Sequence, residues 1–83
     1  MNANIVSPLQ VRMVANIKRR LQQHNMTQRD LAKQAGMHYS TLSRIMHGKH
    51  QPTLGSCWKI SMVLNIEPES IFERQLTGEH EDE

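Results

Sequence analysis

Residues 27–48 read TQRDLAKQAGMHYSTLSRIMHG, the pattern of two short helices joined by a tight turn. Thr27 is a typical N-cap residue for the first of these helices, and a pair of apolar residues one turn later is placed to face inward. Gly36 is typical of a turn that requires a positive φ. A second helix then runs from His38 or Tyr39 to about His47. The spacing predicts a helix-turn-helix motif.

The sequence on either side of this motif predicts three more helices. Ser7 followed by Pro8 is a start signal for helix 1, which is expected to end near Asn25. Thr53 caps helix 4, and a short helix 5 ends at Phe72. The apolar residues of helix 1 recur at steps of three and four residues: Leu9, Met13, Val14, Ile17 and Leu21. Since no strand pattern occurs, the sequence predicts an all-α, compact five-helix fold.

The chain has 83 residues, the length of a single small domain. We expect an N-terminal arm over residues 1–6, a folded domain over 7–76 and an acidic, disordered tail over 77–83. The one cysteine, Cys57, allows neither an internal disulfide nor a thiolate zinc site. Neither a long apolar run nor a signal peptide occurs, so a cytoplasmic protein without a membrane partner is expected.

Few aromatic residues are available for the core, which must therefore be built from aliphatic residues and methionine. We expect Trp58 to fill space beside Cys57. The methionines expected to fill gaps in the core are Met13, Met37, Met46 and Met62.

Charge is divided unevenly along the chain. Residues 1–50 carry eight Lys and Arg against one acid, Asp30, whereas residues 51–83 carry two basic and seven acidic residues. A DNA-binding protein is expected to have such an electrostatic field, with its basic half facing the polyanion. Taken alone, the charge is also compatible with an unevenly charged, solvated surface.

The motif and its flanking residues resemble the Xre-type helix-turn-helix family, which includes the phage Cro and repressor DNA-binding domains. The resemblance covers about residues 9–73 and implies a lambda-repressor-like domain of five helices, with the helix-turn-helix at helices 2–3, that binds operator DNA, usually as a two-fold dimer. Many members pair an Arg in helix 1 with a Glu in helix 3, and the matching positions are Leu21 and Met46, for which we expect an apolar contact. The landmarks are Thr27, Gln28, Leu31, Ala32, Gly36, Met37, Leu42, Ser43, Arg44, Ile45, Gly48, Pro52, Ile60, Ser61 and Leu64.

The base-reading positions of the family fall on Tyr39, Ser40 and Arg44, with Thr41 at the edge of the same face. Arg44 is the strongest candidate, because its planar guanidinium can donate to both O6 and N7 of guanine. Tyr39 can contact a thymine methyl group or reach a phosphate. Its alternative role is a half-buried ring in the first turn of helix 3.

Phosphate contacts are expected on both sides of the groove. Gln28 opens helix 2, where backbone N–H groups and the side chain face the strand, and Arg29 is a second candidate beside it. Ser43, Lys49 and His50 flank the groove on the other side.

The sequence therefore predicts a sequence-specific transcriptional regulator of double-stranded DNA, a small dimeric repressor reading a palindromic operator and associated with the nucleoid when bound. The expected dimer interface consists of Ile71, Phe72 and Leu76, although Ile71 could instead plug the base of the core. The alternatives are an antitoxin or a restriction-modification controller of the same fold, each with a protein partner, and a helical adaptor that binds protein. The charge division argues against the adaptor.

No enzymatic activity, cofactor, metal or small-molecule ligand is expected. His47 and His50 lie three residues apart, but they straddle Gly48 and no carboxylate is near in sequence. No nucleophile elbow, oxyanion loop or P-loop occurs. Without a second domain, the chain offers no obvious place for an inducer.

Overall fold

The computed structural model describes residues 7–74 and, within them, contains helices and no strand. The elements are α1 (Pro8–Gln23), α2 (Gln28–Ala35), α3 (Tyr39–Met46), α4 (Leu54–Leu64) and a 3-10 helix (Pro68–Phe72). The all-α prediction is confirmed. The fifth helix differs from the expected α-helix, because the N–H groups of Ser70 and Glu73 each donate to a carbonyl three residues back. The expected arm, Leu76 and the tail lie outside the described residues.

Three of the four α-helices begin with the side-chain cap that the sequence predicts. The Ser7 and Thr53 hydroxyls accept from the N–H groups of Gln10 and Ser56, at 3.1 and 3.0 Å. Thr27 and Asp30 form a reciprocal capping box: the Asp30 N–H donates to Thr27 Oγ1 at 3.0 Å, and the Thr27 N–H donates to Asp30 Oδ2 at 3.1 Å. His38 precedes α3 without a side-chain cap bond.

The capping box makes the stability of α2 sensitive to acid. The hydrogen bond from the Thr27 backbone lowers the pKa of Asp30 from its ordinary value of 3.8. A lowered pKa in the folded state means that the stabilisation is complete above pH 3.8 and is lost as the pH falls through the folded-state value. We expect Asp30→Asn to lower the melting temperature slightly at neutral pH. The difference from the natural chain should vanish in acid, and a difference that persists there would contradict this role.

All four α-helices end in the same backbone motif. A residue with positive φ follows each one: Asn25, Gly36, Gly48 and Asn65, at 55, 69, 74 and 58°. The N–H of the next residue then donates to the carbonyl five positions back, with N···O distances of 2.9, 2.9, 2.8 and 3.0 Å for Met26, Met37, Lys49 and Ile66. This Schellman motif satisfies carbonyls that a helix end leaves unpaired. We call these four sites the Schellman corners.

Every element contributes to one apolar core. Leu21 and Met46, between which an apolar contact is expected, are both buried in this core, and their direct contact stays a prediction. The buried members of the core are Met13, Ile17, Leu21, Leu31, Ala32, Leu42, Ile45, Met46, Cys57, Ile60, Leu64 and Ile71.

Three side chains that were expected inside are exposed: Leu9, Trp58 and Met62. At the start of α1, the buried position belongs to Gln10 instead of Leu9. The buried side of α4 consists of Cys57, Ile60, Ser61 and Leu64, so Trp58 and Met62 project from a different side of that helix. The predictions that Trp58 fills space beside Cys57 and that Met62 packs in the core are therefore wrong.

Two buried amides on α1 hold the ends of other elements. Gln10 Nε2 donates to the carbonyls of Ile45 and His50, at 3.1 and 2.9 Å. Asn16 Nδ2 donates to the carbonyls of Ile71 and Glu73, at 2.7 and 2.9 Å. Since an NH2 group has two hydrogens, each amide uses both of them. The last turn of α3 and the 3-10 helix are thereby fixed on α1.

Candidate nucleic-acid interface

The packing of α3 determines which of its side chains face outward. Its buried positions are Leu42, Ile45 and Met46, which lie in the core together with residues of α2. Gly36, at φ 69°, provides the turn between the two helices. The predicted base-reading side chains lie on the outer side: Tyr39, Ser40 and Arg44 are exposed, and Thr41 is half-buried.

The first turns of α2 and α3 are connected by a contact between Arg29 and Tyr39. The guanidinium carbon of Arg29 lies 4.1 Å from the centroid of the Tyr39 ring, which is cation–π geometry. Sequence reasoning assigned these residues separately, Arg29 to phosphate and Tyr39 to bases, and missed the contact. Arg29 therefore covers one face of the Tyr39 ring.

Gln28 occupies the first position of α2 and is half-buried. A helix start offers unpaired N–H groups and a partial positive charge, which suit a phosphate. Asp30 lies in the same first turn and brings a negative charge, but its carboxylate accepts from the Thr27 N–H. The positive charge of Lys33, one turn later in α2, acts against that of the Asp30 carboxylate.

Ser43, Lys49 and His50 lie around the other end of α3. His47 Nδ1 is 2.7 Å from the Ser43 carbonyl oxygen, and because a carbonyl only accepts, this nitrogen carries the hydrogen. The Ser43 side chain is half-buried, whereas Lys49 and His50 are exposed. The Lys49 N–H donates to the Arg44 carbonyl at 2.8 Å, so the backbone places these two cationic residues at one corner.

This corner differs from the other three Schellman corners. Met26, Met37 and Ile66 are apolar at the equivalent position and pack against the core, as the motif usually requires. Lys49 is a cation at that position and is exposed. The adjoining loop is instead held by Gln10, whose amide donates to the carbonyl of His50. Gln10 was missed as a site residue, because its bonding depends on carbonyls 35 and 40 residues away.

The predicted dimer interface is only partly compatible with the structure. Ile71 is completely buried in its own domain, so its side chain offers no surface to a second copy. Phe72 is half-buried, and Leu76 lies outside the described residues. Ile71 is removed from the interface, and Phe72 and Leu76 remain predictions.

Residues 7–74 contain no group of three His, Cys, Asp or Glu side chains that could hold a metal ion. Within the same residues, no helix has the length and apolar character needed to cross a membrane.

Comparisons with known proteins give two findings. A family model described as helix-turn-helix matches residues 17–71. Three uncharacterized HTH-type transcriptional regulators are similar in sequence. One from Methanocaldococcus jannaschii is 41% identical over 49 residues, covering 59% of this chain and 74% of that protein. Two come from Archaeoglobus fulgidus. The first is 38% identical over 60 residues, which cover 72% of this chain and 84% of that protein. The second is 37% identical over 49 residues, which cover 59% of this chain and 70% of that protein.

Proposed function

Because the chain belongs to the Xre-type helix-turn-helix family, we propose that it is a repressor that binds a palindromic operator as a homodimer. The family match and the regulators similar to it support the general function, DNA binding in transcriptional regulation. In our proposal α2 and α3 form the helix-turn-helix, and α3 lies in the major groove.

The exposed cationic corner of Arg44 and Lys49 is the observation that carries this proposal. At the three other Schellman corners an apolar residue stabilises the helix end, and here a cation replaces it. No Asp or Glu occurs between Asp30 and Glu67, so α3 and the loops next to it lack acids altogether. A site of this kind attracts a polyanion.

Each exposed residue has a proposed role. Arg44 and Ser40 read base edges, since they lie one turn apart on the outer side of α3. Tyr39 and Thr41 contact DNA at the edges of that surface. Phosphate groups are bound by two sets of residues: Gln28 and Arg29 at the start of α2, and Ser43, Lys49 and His50 at the end of α3.

The proposed homodimer follows from geometry. One small module buries too little surface for tight specific binding, and two copies of α3 spaced by about 34 Å reach successive major grooves on one side of DNA. The antitoxin and controller alternatives would add a different protein partner to the same DNA-binding surface. The adaptor alternative does not account for the acid-free cationic corner.

Selection of bound sites from random double-stranded DNA tests the proposed function. We expect enrichment of a two-fold symmetric sequence whose half-sites are about one helical turn apart. Recovery of no preferred sequence would support the adaptor, and recovery of a single half-site would contradict the homodimer.

Replacing Lys49 with alanine tests the proposed phosphate contact. Binding to operator and to random DNA should weaken alike, and the slope of log K against log salt should fall by about one unit for each bound subunit, because each subunit releases one fewer counterion. Lys18→Ala is the matched control, since Lys18 is also exposed but lies near the middle of α1. An unchanged slope for Lys49→Ala, or an equal change for Lys18→Ala, would remove Lys49 from the interface.

A further inference from the structure

A row of exposed apolar side chains runs along α4. Leu54, Trp58 and Met62 are 86, 56 and 62% exposed and lie four residues apart, so they follow one ridge of the helix. The only charged residue of α4 is Lys59. Contiguous exposed apolar patches larger than a few hundred Å² are rare on monomeric proteins and mark interaction sites. We call these three residues the α4 stripe.

We propose that two copies of the chain pair through the α4 stripe, with the two α4 helices antiparallel and Trp58 at the two-fold axis. This inference rests on the proposed function in requiring a homodimer. It goes further by naming the surface, which is not the one that the sequence predicts.

The spacing of the α4 stripe suits a second copy of the same chain. A two-fold interface uses the same patch on both subunits, so the patch must be complementary to itself. Trp58 has an apolar residue four positions before it and four positions after it. Antiparallel pairing places Leu54 of one copy against Met62 of the other, and Trp58 against Trp58.

Charge favours the antiparallel direction. The first turn of α4 has no acidic residue, although a helix N-terminus favours a nearby negative charge. The exposed acids Glu67 and Glu69 follow the other end of α4. Antiparallel pairing brings these acids of one copy towards the α4 N-terminus of the other, whereas parallel pairing places like ends together.

The apolar surface continues beyond both ends of the α4 stripe. Leu54 lines one shallow surface depression together with Leu9, Pro52 and Phe72. Trp58 and Met62 line another with Ile66 and Pro68. These neighbours widen the apolar surface around the α4 stripe, and a stable interface buries about 800 Å² per subunit. Phe72, expected at the interface from sequence, thus borders the α4 stripe.

A pair of charged substitutions tests both the surface and its direction. Leu54→Glu places an acid near the start of α4 and Met62→Lys a base near its end, so neither opposes the helix dipole. We expect each variant alone to raise the dimer dissociation constant at least tenfold in sedimentation equilibrium. An equimolar mixture should recover a dimer, because only antiparallel pairing brings the introduced acid and base together. Val11→Lys is the matched control, since Val11 is 56% exposed on α1.

Trp58 is the only tryptophan, so its fluorescence reports on the pairing directly. On dilution of the natural chain, the emission should move to longer wavelength at the concentration at which sedimentation shows dissociation. The proposal would be overturned if the natural chain is monomeric at high micromolar concentration. It would also be overturned if the Met62→Lys variant associates as tightly as the natural chain. A mixture that fails to recover the dimer would overturn the antiparallel direction.

DNA binding separates a failure of this inference from a failure of the proposed function. Both variants should still bind random DNA, and this binding should still weaken with salt, because the α4 stripe shares no residue with the predicted DNA contacts. If the natural chain binds DNA sequence-specifically but the variants self-associate as tightly as it does, only the proposed pairing through the α4 stripe is rejected. Absence of sequence-specific binding by the natural chain would reject the proposed function.

Discussion

Replacing Arg44 with alanine is expected to weaken binding to the selected operator by about 1–3 kcal/mol, roughly 5- to 150-fold, and binding to random DNA far less. The loss reflects two hydrogen bonds from the guanidinium to one guanine. Arg44 is exposed, and its contribution to the corner is its backbone carbonyl, which alanine retains. The free energy of unfolding should therefore change little. Titrations of both DNAs at one salt concentration measure the difference.

Arg44→Lys is the control for charge. Lysine keeps the positive charge but lacks the planar pair of donors, so binding to random DNA should be retained while specificity is not restored. If Arg44→Ala weakens binding to operator and random DNA equally, Arg44 contacts phosphate and the base-reading assignment is wrong.

Replacing Gln10 with methionine is expected to destabilise the domain by about 1–3 kcal/mol, because two hydrogen bonds from the Gln10 amide, one buried and one partly buried, are lost. Methionine has similar length but cannot donate to the carbonyls of Ile45 and His50. The Ile45 carbonyl still accepts from the Gly48 N–H, so the main loss falls on His50. Urea unfolding measures the destabilisation.

The same substitution should loosen the loop beside the predicted DNA contacts. The Lys49 amide should exchange its hydrogen faster, and operator binding should fall more than the fraction of unfolded protein explains. Gln23→Met, at an exposed position at the end of α1, is the control and should change neither. If the Gln10→Met variant has the same free energy of unfolding and the same amide exchange rates as the natural chain, the Gln10 hydrogen bonds do not hold the loop.

The helix boundaries could be predicted because local residues determine them. Ser7, Thr27 and Thr53 bond to N–H groups three residues ahead, and Gly36 and Asn25 adopt a backbone conformation that few other residues tolerate. Such signals lie within one turn of the residues they affect. The 3-10 helix cannot be distinguished from an α-helix by its start signal, because a start at Pro68 suits both.

The directions of several side chains could not be predicted. Gln10 is buried in place of Leu9 because its amide bonds to carbonyls that are distant in sequence. The sequence of α4, LGSCWKISMVL, does not identify the outward side of the helix, because it has only one charged residue to mark the side that faces solvent. At the candidate site, the resemblance to the family implied the outward positions of α3, but the contact between Arg29 and Tyr39 joins two helices and left no local signal.

The Schellman corners also bear on how quickly this domain can fold. Each corner closes through hydrogen bonds between residues three to five positions apart, and the side-chain caps at the helix starts span three. Chains dominated by such local contacts fold in microseconds to milliseconds. The bonds of Gln10 and Asn16 span 35 to 57 residues and can form only after collapse. The first helix in the chain is therefore expected to be the last to acquire its final position, and the loop beside Lys49 to become ordered with it.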